Sequence, residues 1–203
     1  MGGANKALRE GITLRYAFHN GIKVRIAEGV YEPAEDTYLI LDNVNERGPG
    51  MALDVGTGSG IIAIWLAKLG FTVVATDVDV RALKCAKENA KLNNVKLDLV
   101  RCDLAEPIKG KFDVITFNPP YLPFKDNIPE EIWWYGGKNI LWRFLKRDLP
   151  RVLKRDGRLY LVYSSLTGIK DLKEILPEGF HAEIMIKKRF MFELLYLVKV
   201  TRT

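Results

Sequence analysis

The stretch MALDVGTGSGIIAIWLAKLGFTVVATD, residues 51–77, decides the fold. Its first five residues are mostly apolar, which indicates a short buried strand at 51–55. A glycine-rich loop follows, and the apolar run 61–69 is long enough for a buried helix. A β-branched run at 72–76 then ends in Asp77. Strand, glycine loop, helix and strand in this order predict the repeating unit of a parallel α/β sheet.

The same alternation continues on both sides of this stretch. It predicts helices over 35–45, 80–92 and 139–153, and strands over 22–26, 95–100, 112–117 and 159–163. Two further strand-like runs, 180–187 and 192–200, are joined by a short link and predict an antiparallel hairpin at the sheet edge. We therefore expect an α/β fold with a doubly wound, mostly parallel seven-stranded sheet and a C-terminal antiparallel hairpin. One domain is expected to span residues 1–203.

Composition limits the class of protein. With 203 residues, 48% of them apolar, the chain can bury a proper core. It lacks both an apolar run of about 18 residues and the apolar core of a signal peptide, so we expect a cytoplasmic protein without a membrane span. The net charge of +6 suits a phosphate-rich partner such as RNA. Cys85 and Cys102 are too few for a disulfide framework or a zinc site, so we expect reduced, buried thiols and no metal.

The glycine loop favours a ligand without phosphate. In open α/β sheets, ligands bind at the carboxyl ends of the strands, where this loop lies. Gly56, Gly58 and Gly60 have the spacing G-x-G-x-G, whereas a dinucleotide fingerprint needs glycine at the position of Ile61. The loop also contains no P-loop lysine. These departures weaken the dinucleotide and nucleotide hypotheses.

An acidic residue ends or nearly ends each of the first three sheet strands: Asp54, Asp77 and Asp103. The carboxylate of Asp77 is placed to accept both hydroxyls of a ribose. The alternative role is a helix N-cap, for which Asp79 is better placed.

Asp103 can accept a hydrogen bond from the exocyclic amine of adenine, with Val78 and Leu104 covering the ring. Taken alone, it is equally well explained as a turn residue. Together, three acids around a glycine loop indicate a nucleoside pocket without phosphate. The cationic sulfonium of S-adenosylmethionine matches such a pocket.

The stretch ITFNPPYLP, residues 115–123, ends an apolar strand in an unusual way. Two successive prolines force Asn118 and Pro119 into extended conformations and contribute no N–H groups. The side-chain carbonyl of Asn118 and a nearby backbone carbonyl are then free to accept both hydrogens of a planar NH2 group, with Tyr121 against its flat face. The alternative is a rigid turn without chemistry.

These motifs carry a family resemblance. DVGTGSG, Asp77 and Asp103 resemble the cofactor site of class I S-adenosylmethionine-dependent methyltransferases, and NPPY is similar to the motif of those that methylate planar nitrogens. GVYEPAEDT (29–37) and WYGG (134–137) resemble the HemK-type protein-glutamine methyltransferases, specifically their short archaeal and eukaryotic branch. The likeness spans roughly residues 29–163.

The resemblance implies an activity and a site. The expected reaction is methylation of the side-chain amide of glutamine in the Gly-Gly-Gln motif of class-1 translation release factors, with S-adenosylmethionine as cofactor. It implies that the segment from Glu32 to Thr37 closes over the methionine end of the cofactor, so that residues 1–50 form an extension covering the cofactor site. The implied catalytic residues are Asn118, Pro119 and Tyr121. The implied cofactor-binding residues are Glu32, Thr37, Asp54, Gly56, Gly58, Gly60, Asp77, Val78, Asp103, Leu104 and Asn118.

The resemblance also implies a partner. Short members of the family act with a small zinc-binding activator protein that pairs along the sheet edge, here from Val95 to Val100. An exposed edge strand invites such pairing. One departure is Trp133-Trp134-Tyr135, where the family more often has a single tryptophan; these tryptophans suit base stacking and core packing equally.

Alternatives remain at this stage. The NPPY motif and the basic charge also fit methylation of an exocyclic amine of guanine or adenine in RNA. The predicted helix 139–153 and its flanks carry a cluster of cations, which fits either a solvated outer face or a weak RNA contact. The cluster comprises Lys138, Arg143, Lys146, Arg147, Arg151, Lys154 and Arg155. A non-catalytic scaffold is a third possibility, disfavoured by the intact pocket and NPPY.

Overall fold

A computed structural model describes residues 15–120 and 137–203 of the chain. It contains a small hairpin, β1 (Arg15–His19) and β2 (Ile22–Ile26), and a seven-stranded sheet. The strands of that sheet are β3 (Met51–Val55), β4 (Thr72–Asp77), β5 (Asp98–Arg101), β6 (Phe112–Phe117), β7 (Leu153–Ser164), β8 (Phe180–Phe190) and β9 (Glu193–Arg202).

Helices cover both faces of this sheet. They are α1 (Glu35–Asn43), α2 (Ile61–Lys68), α3 (Val80–Leu92), α4 (Gly137–Arg143) and α5 (Leu149–Val152). A π-helical turn, Phe144–Asp148, joins α4 to α5, and two 3-10 turns cover Ser165–Thr167 and Leu172–Glu174. No helix in the described part of the chain is long and apolar enough to cross a membrane.

The strand order is β5-β4-β3-β6-β7-β9-β8. From β3 the chain winds outward through β4 to β5, then returns to the other side of β3 as β6. Strand order therefore reverses between β3 and β6, which is where ligands bind in doubly wound sheets. The β8–β9 hairpin is antiparallel and lies at the opposite edge from β5. The predicted fold class is confirmed.

Several predicted elements differ from the observed ones because of tertiary packing. The edge strand β5 begins at Asp98 and not at Val95, since the Val95 N–H donates to the Ala90 carbonyl at the end of α3. β7 is twelve residues long, whereas the prediction covered 159–163. β1 was not predicted. The helix predicted over 139–153 is interrupted by the π-helical turn, because Pro150 has no N–H to donate to the preceding turn.

Two apolar clusters form the core, one on each face of the sheet. The β1–β2 hairpin is attached to one of these faces by two asparagines of α3 and its C-cap. The Oδ1 atom of Asn89 accepts from the Arg25 backbone N–H at 2.8 Å, and Asn93 Nδ2 donates to the Lys23 carbonyl at 2.8 Å. These bonds hold β2 beside α3.

Candidate functional site

The glycine loop lies at the carboxyl end of β3, at the reversal of strand order. Gly60 is the N-cap of α2 and has φ +84°, and a Cβ there would lie 2.8 Å from the Cβ of Ala86. Glycine at this position therefore allows α2 to approach α3. Gly58 also has positive φ, +54°, but a Cβ would meet nothing within 4 Å. The space beside Gly58 is open for a ligand.

Asp54 is buried beneath the loop, with an exposure of 1%. Its carboxylate accepts from Thr57 Oγ1 at 2.7 Å and from Thr116 Oγ1 at 2.8 Å. It therefore ties the glycine loop to β6. Burial raises the pKa of Asp54 to about 6, against the opposing effect of these two hydrogen bonds.

Asp77 holds the glycine loop from the next strand. Its Oδ2 accepts from the Gly58 N–H and its Oδ1 from the Asp79 N–H, both at 2.9 Å. Burial raises the pKa of Asp77, and these hydrogen bonds oppose the shift. Asp79 caps α3 by accepting from the Arg81 N–H at 2.8 Å, as predicted. Each Asp77 oxygen retains a lone pair for a further donor.

Asp103 follows β5 and forms an ion pair with Arg143 of α4. Both side chains are more than one third exposed, so this pairing is weak enough to be exchanged for a ligand. The adjacent Leu104 has φ +56°, and its carbonyl accepts from Thr76 Oγ1 at 2.8 Å. Val78 follows Asp77 in the chain and is half-buried. Its carbonyl accepts a hydrogen bond from Arg101 Nε at 3.2 Å.

Asn118 follows the last residue of β6 and has an unpaired acceptor. Its Oδ1 atom is buried and has no hydrogen-bond partner among the described residues. Its Nδ2 atom donates to Thr37 Oγ1 at 3.4 Å. A buried polar atom without a partner is uncommon in folded proteins and calls for an explanation.

A chain of hydrogen bonds fixes which way the Asn118 amide faces. The hydroxyl of Thr37 donates to Asp36 Oδ1 at 3.2 Å, and the Tyr31 hydroxyl donates to Asp36 Oδ2 at 2.8 Å. With its hydrogen used, Thr37 Oγ1 can only accept, so it faces the NH2 group of Asn118 and leaves Oδ1 unpaired.

Asp36 and Tyr31 were missed at the level of sequence. Asp36 has an exposure of only 2%. Aspartate is rarely buried to this degree unless its carboxylate has partners, which here are Tyr31 and Thr37. Both residues lie within GVYEPAEDT, a stretch that resembles the family and could have indicated them. From this stretch only Glu32 and Thr37 were predicted to bind the cofactor. Glu32 is half exposed and forms an ion pair with Arg15 at 2.8 Å.

Some predicted residues lie outside the described part of the chain. These are Tyr121 of the NPPY motif and the aromatic residues Trp133, Trp134 and Tyr135. Pro119 is within it and is buried. Among the described residues, no group of three or more histidine, cysteine, aspartate or glutamate side chains is arranged to hold a metal ion. Cys85 is buried, Cys102 is half-buried, and neither forms a disulfide.

The cations of the predicted helix 139–153 are largely occupied by the chain itself. The apolar side chains of this segment are fully buried: Leu141, Phe144, Leu145, Leu149 and Val152. Arg147 and Arg151 bind the buried carboxylate of Asp148, and Lys154 binds Asp113 at 2.8 Å. Lys146 donates to a backbone carbonyl, and Arg143 pairs with Asp103. Five of the seven cations, Arg143, Lys146, Arg147, Arg151 and Lys154, thus have partners within the chain and are less available to an RNA.

Comparisons with known proteins agree with this geometry. The model of the family described as "Methyltransferase small domain" matches residues 22–196. A Methanocaldococcus jannaschii protein named as a candidate protein N5-glutamine methyltransferase is 42% identical over 193 residues, covering 90% of this chain and 96% of that protein. Methyltransferase HEMK2 of Homo sapiens is 29% identical over 209 residues, covering 92% of this chain and 96% of that protein.

A solved structure shares the fold as well. It is the E. cuniculi Mtq2–Trm112 complex, responsible for the methylation of the eRF1 translation termination factor. The similarity has a TM-score of 0.68 and 29% identity, and covers 86% of this chain and 99% of that chain.

Proposed function

Because the chain belongs to the methyltransferase small domain family, we propose that it methylates the side-chain amide nitrogen of a protein glutamine, using S-adenosylmethionine. The proposed target is the glutamine of the Gly-Gly-Gln motif of a class-1 release factor. The relative named for protein N5-glutamine methylation and the similar structure of a complex that methylates the eRF1 translation termination factor support this target. The observation that carries the proposal is the buried, unpaired Oδ1 of Asn118, because a primary amide offers the N–H that this acceptor lacks.

The residues at the carboxyl edge fit S-adenosylmethionine. Gly58 leaves open space where the cofactor would approach the backbone, and Asp77 retains lone pairs for ribose hydroxyls. Asp103 would accept from the adenine amine after releasing Arg143, with Val78 and Leu104 beside the ring. Asp54 shapes the loop from below. When bound, the cofactor supplies an electrophilic methyl group on a sulfonium.

An amide nitrogen is a weak nucleophile because its lone pair is delocalised into the carbonyl. The chain must therefore hold the nitrogen in line with the methyl group. In our proposal, Asn118 Oδ1 accepts one N–H and the Pro119 carbonyl accepts the other, while Tyr121 packs against the amide plane. Orientation of this kind can lower a barrier by about 7–11 kcal/mol. The proton released after transfer passes to solvent, so no strong general base is required.

Asp36 and Thr37 position Asn118 for this task. With Thr37 Oγ1 fixed as an acceptor, the Asn118 amide cannot turn without facing oxygen towards oxygen. Oδ1 is shielded from water, which suits it to an N–H of the substrate amide. This hydrogen bond forms in a low-dielectric setting, where it is stronger than in water.

We further propose that residues 1–50 form an extension over the cofactor site, which the contact between Thr37 and Asn118 supports. The small zinc-binding activator is proposed to pair with β5, which is an edge of the sheet. The apolar side chains of Val95, Leu97 and Leu99 pack inward, so the edge would bind through its backbone. Protection of the 98–101 amides from hydrogen exchange on mixing tests this; protection elsewhere would place the activator elsewhere.

The test of the function is transfer of radiolabelled methyl from S-adenosylmethionine, with and without the activator. The acceptors are a matching release factor, its Gln→Ala variant, and bulk tRNA and rRNA. Label on the release factor that is absent from the variant is the expected result. Label on RNA alone would assign the chain to base methylation, which the net charge of +6 favours and the occupied cations of the 139–153 helix disfavour. We place the reaction in the cytoplasm, where release factors act.

A further inference from the structure

The two hairpins of this chain have very different turns. The β1–β2 turn consists of Asn20 and Gly21, with φ +41° and +80°. Asparagine and glycine are the residues that such a two-residue turn favours. The β8–β9 turn consists of Met191 and Phe192, and Met191 has φ +48°, where glycine is strongly preferred.

Met191 and Phe192, together called the hairpin tip, are also the two most exposed large apolar side chains of the described residues. Met191 is 74% exposed and Phe192 is 96% exposed. The tip thus has the wrong turn residue for its backbone and two large apolar groups in water. Neither feature stabilises the fold, so both are better explained by contact with another molecule.

The hairpin tip and Asn118 lie at the same end of the sheet, the end at which the parallel strands have their carboxyl ends. Phe117 is opposite Leu161 of β7, which is opposite Val198 of β9. Phe192 lies six residues beyond Val198 along the strand direction. At about 3.3 Å per residue and about 4.8 Å between strands, Phe192 is roughly 20 Å from Asn118.

Two contacts hold the base of the tip near the site. Lys188 forms an ion pair with Glu35 at the start of α1, one residue before Asp36. Ser164, the last residue of β7, donates to the carboxylate of Glu193. These contacts place the base of the tip beside the start of α1, at the same end of the sheet as Asn118.

The surroundings of the tip are basic. Lys187, Lys188 and Arg189 are consecutive and exposed on the strand that leads to it. Lys188 is paired with Glu35, whereas Lys187 lies 5.7 Å from the ring of Tyr196. A partner that fits has an apolar depression bordered by carboxylates.

We propose that the hairpin tip is a docking element for the protein substrate, a proposal that rests on the function proposed above. Phe192 and Met191 enter an apolar depression on the substrate protein, and its carboxylates pair with Lys187 and Arg189. The apolar tip favours a protein partner over RNA, whose backbone would be met by charge alone. Docking at this distance sets how well the whole substrate binds while leaving the chemistry at Asn118 unchanged.

The decisive variant is the double substitution Met191→Gly and Phe192→Ser. It removes the apolar tip and supplies residues that suit a turn with positive φ at its first position, so the melting temperature should not fall. For the release factor, KM is expected to rise about tenfold or more, with kcat at saturation within about twofold. Ile184→Thr is the matched control, since Ile184 is 56% exposed on the same hairpin but far from the tip, and KM should not change.

A short peptide separates docking from chemistry. Five residues span at most about 18 Å, so a pentapeptide centred on the target glutamine cannot reach the tip. Its methylation should be equal in the wild type and the double variant. Lys187→Glu with Arg189→Glu should raise KM for the release factor and reduce its salt dependence.

An unchanged KM in the tip variant overturns the docking proposal. So does a loss of RNA affinity with an unchanged KM for protein, which would assign the tip to RNA. If the wild type transfers no methyl to glutamine, the proposed function fails separately. Calorimetric binding of the release factor to wild type and tip variant then decides docking: equal dissociation constants, or no binding, would refute it.

Discussion

At the carboxyl ends of the strands, two halves of the site differ in whether their buried polar side chains are hydrogen-bonded. On the cofactor side, beside β3 and β4, Asp54 and Asp77 each accept two hydrogen bonds from the chain. On the acceptor side, beside β6, the Oδ1 atom of Asn118 is buried and accepts none from the residues that the structure describes. An unsatisfied buried group costs about 1–3 kcal/mol.

Under the proposed function, the first half is completed by hydrogen bonds within the chain, and the second would be completed by a substrate amide. The carboxylates of Asp54 and Asp77 build the glycine loop, so the cofactor side is already formed. The amide of Asn118 is oriented by Thr37 but left incomplete. Strain or lost pairing of this kind persists where function requires it.

The largest expected effect comes from breaking the acceptor side. Asn118→Ala should lower turnover by about 10²–10³-fold, because it removes a group that orients and polarises the amide. The dissociation constant for the cofactor should stay within a few-fold. The free energy of unfolding should change little, since Oδ1 has no partner among the described residues and the variant loses only the long bond from Nδ2 to Thr37 Oγ1, 3.4 Å.

Asn43→Ala is the control for this prediction. Asn43 is also partly buried, but it bonds the Leu39 carbonyl within α1 and lies away from the site. Turnover should be unchanged in that variant. Equal turnover in Asn118→Ala and the wild type would remove Asn118 from the mechanism.

The second effect is on pH dependence and concerns Asp54. Because its pKa in the folded state, about 6, lies above the unfolded value of 3.8, the folded protein binds this proton more tightly. The free energy of unfolding should therefore decrease by roughly 3 kcal/mol as pH rises from about 4 to about 6, and then level off. Chemical denaturation across this range measures it.

Asp54→Asn should remove most of that decrease, since it cannot titrate and still reaches Thr57 and Thr116. An identical pH profile in the variant would show that other groups cause the slope. Asp77, whose pKa is also raised by burial, contributes in the same direction.

Two glycines of the glycine loop, Gly58 and Gly60, differ in the space around them. Gly60→Ala would place a Cβ 2.8 Å from Ala86, whereas Gly58→Ala meets no atom within 4 Å. Both substitutions bear the cost of positive φ, so Gly60→Ala should lower the free energy of unfolding by about 1–3 kcal/mol more. Gly58→Ala should instead chiefly weaken cofactor binding. Thermal unfolding compares the stability of the two variants, and calorimetry compares their affinity for the cofactor. A less stable Gly58→Ala, or weaker cofactor binding by Gly60→Ala, would contradict this prediction.

The smallest effect is expected for Asp77→Ala. It removes the acceptor for the Gly58 N–H and a ligand for the ribose, so cofactor affinity should fall about tenfold, with kcat at saturation nearly unchanged. Leaving the Gly58 N–H with water as its partner limits the loss of stability. An unaltered dissociation constant by calorimetry would contradict the role of Asp77.

The sequence by itself predicted the fold class and the order of the elements from β2 onward, because each of them has a local apolar pattern. The bounds of α3 and β6 were predicted exactly as they occur, because periodic apolar residues encode each element locally. The glycine loop and NPPY were placed at strand ends by the same local signals. The exposed edge at β5 also followed from the fold class.

Only the tertiary structure decided which polar groups meet. Thr37 and Asn118 are 81 residues apart in the chain, and Asp103 and Arg143 are 40 apart. Spacing cannot encode such pairs, because they depend on how two elements pack. For the same reason the cations of the 139–153 helix proved to be bound within the chain, and β5 began later than predicted. The lack of a partner for Asn118 Oδ1 among residues 15–120 and 137–203 likewise depends on how distant elements pack and not on spacing in the chain.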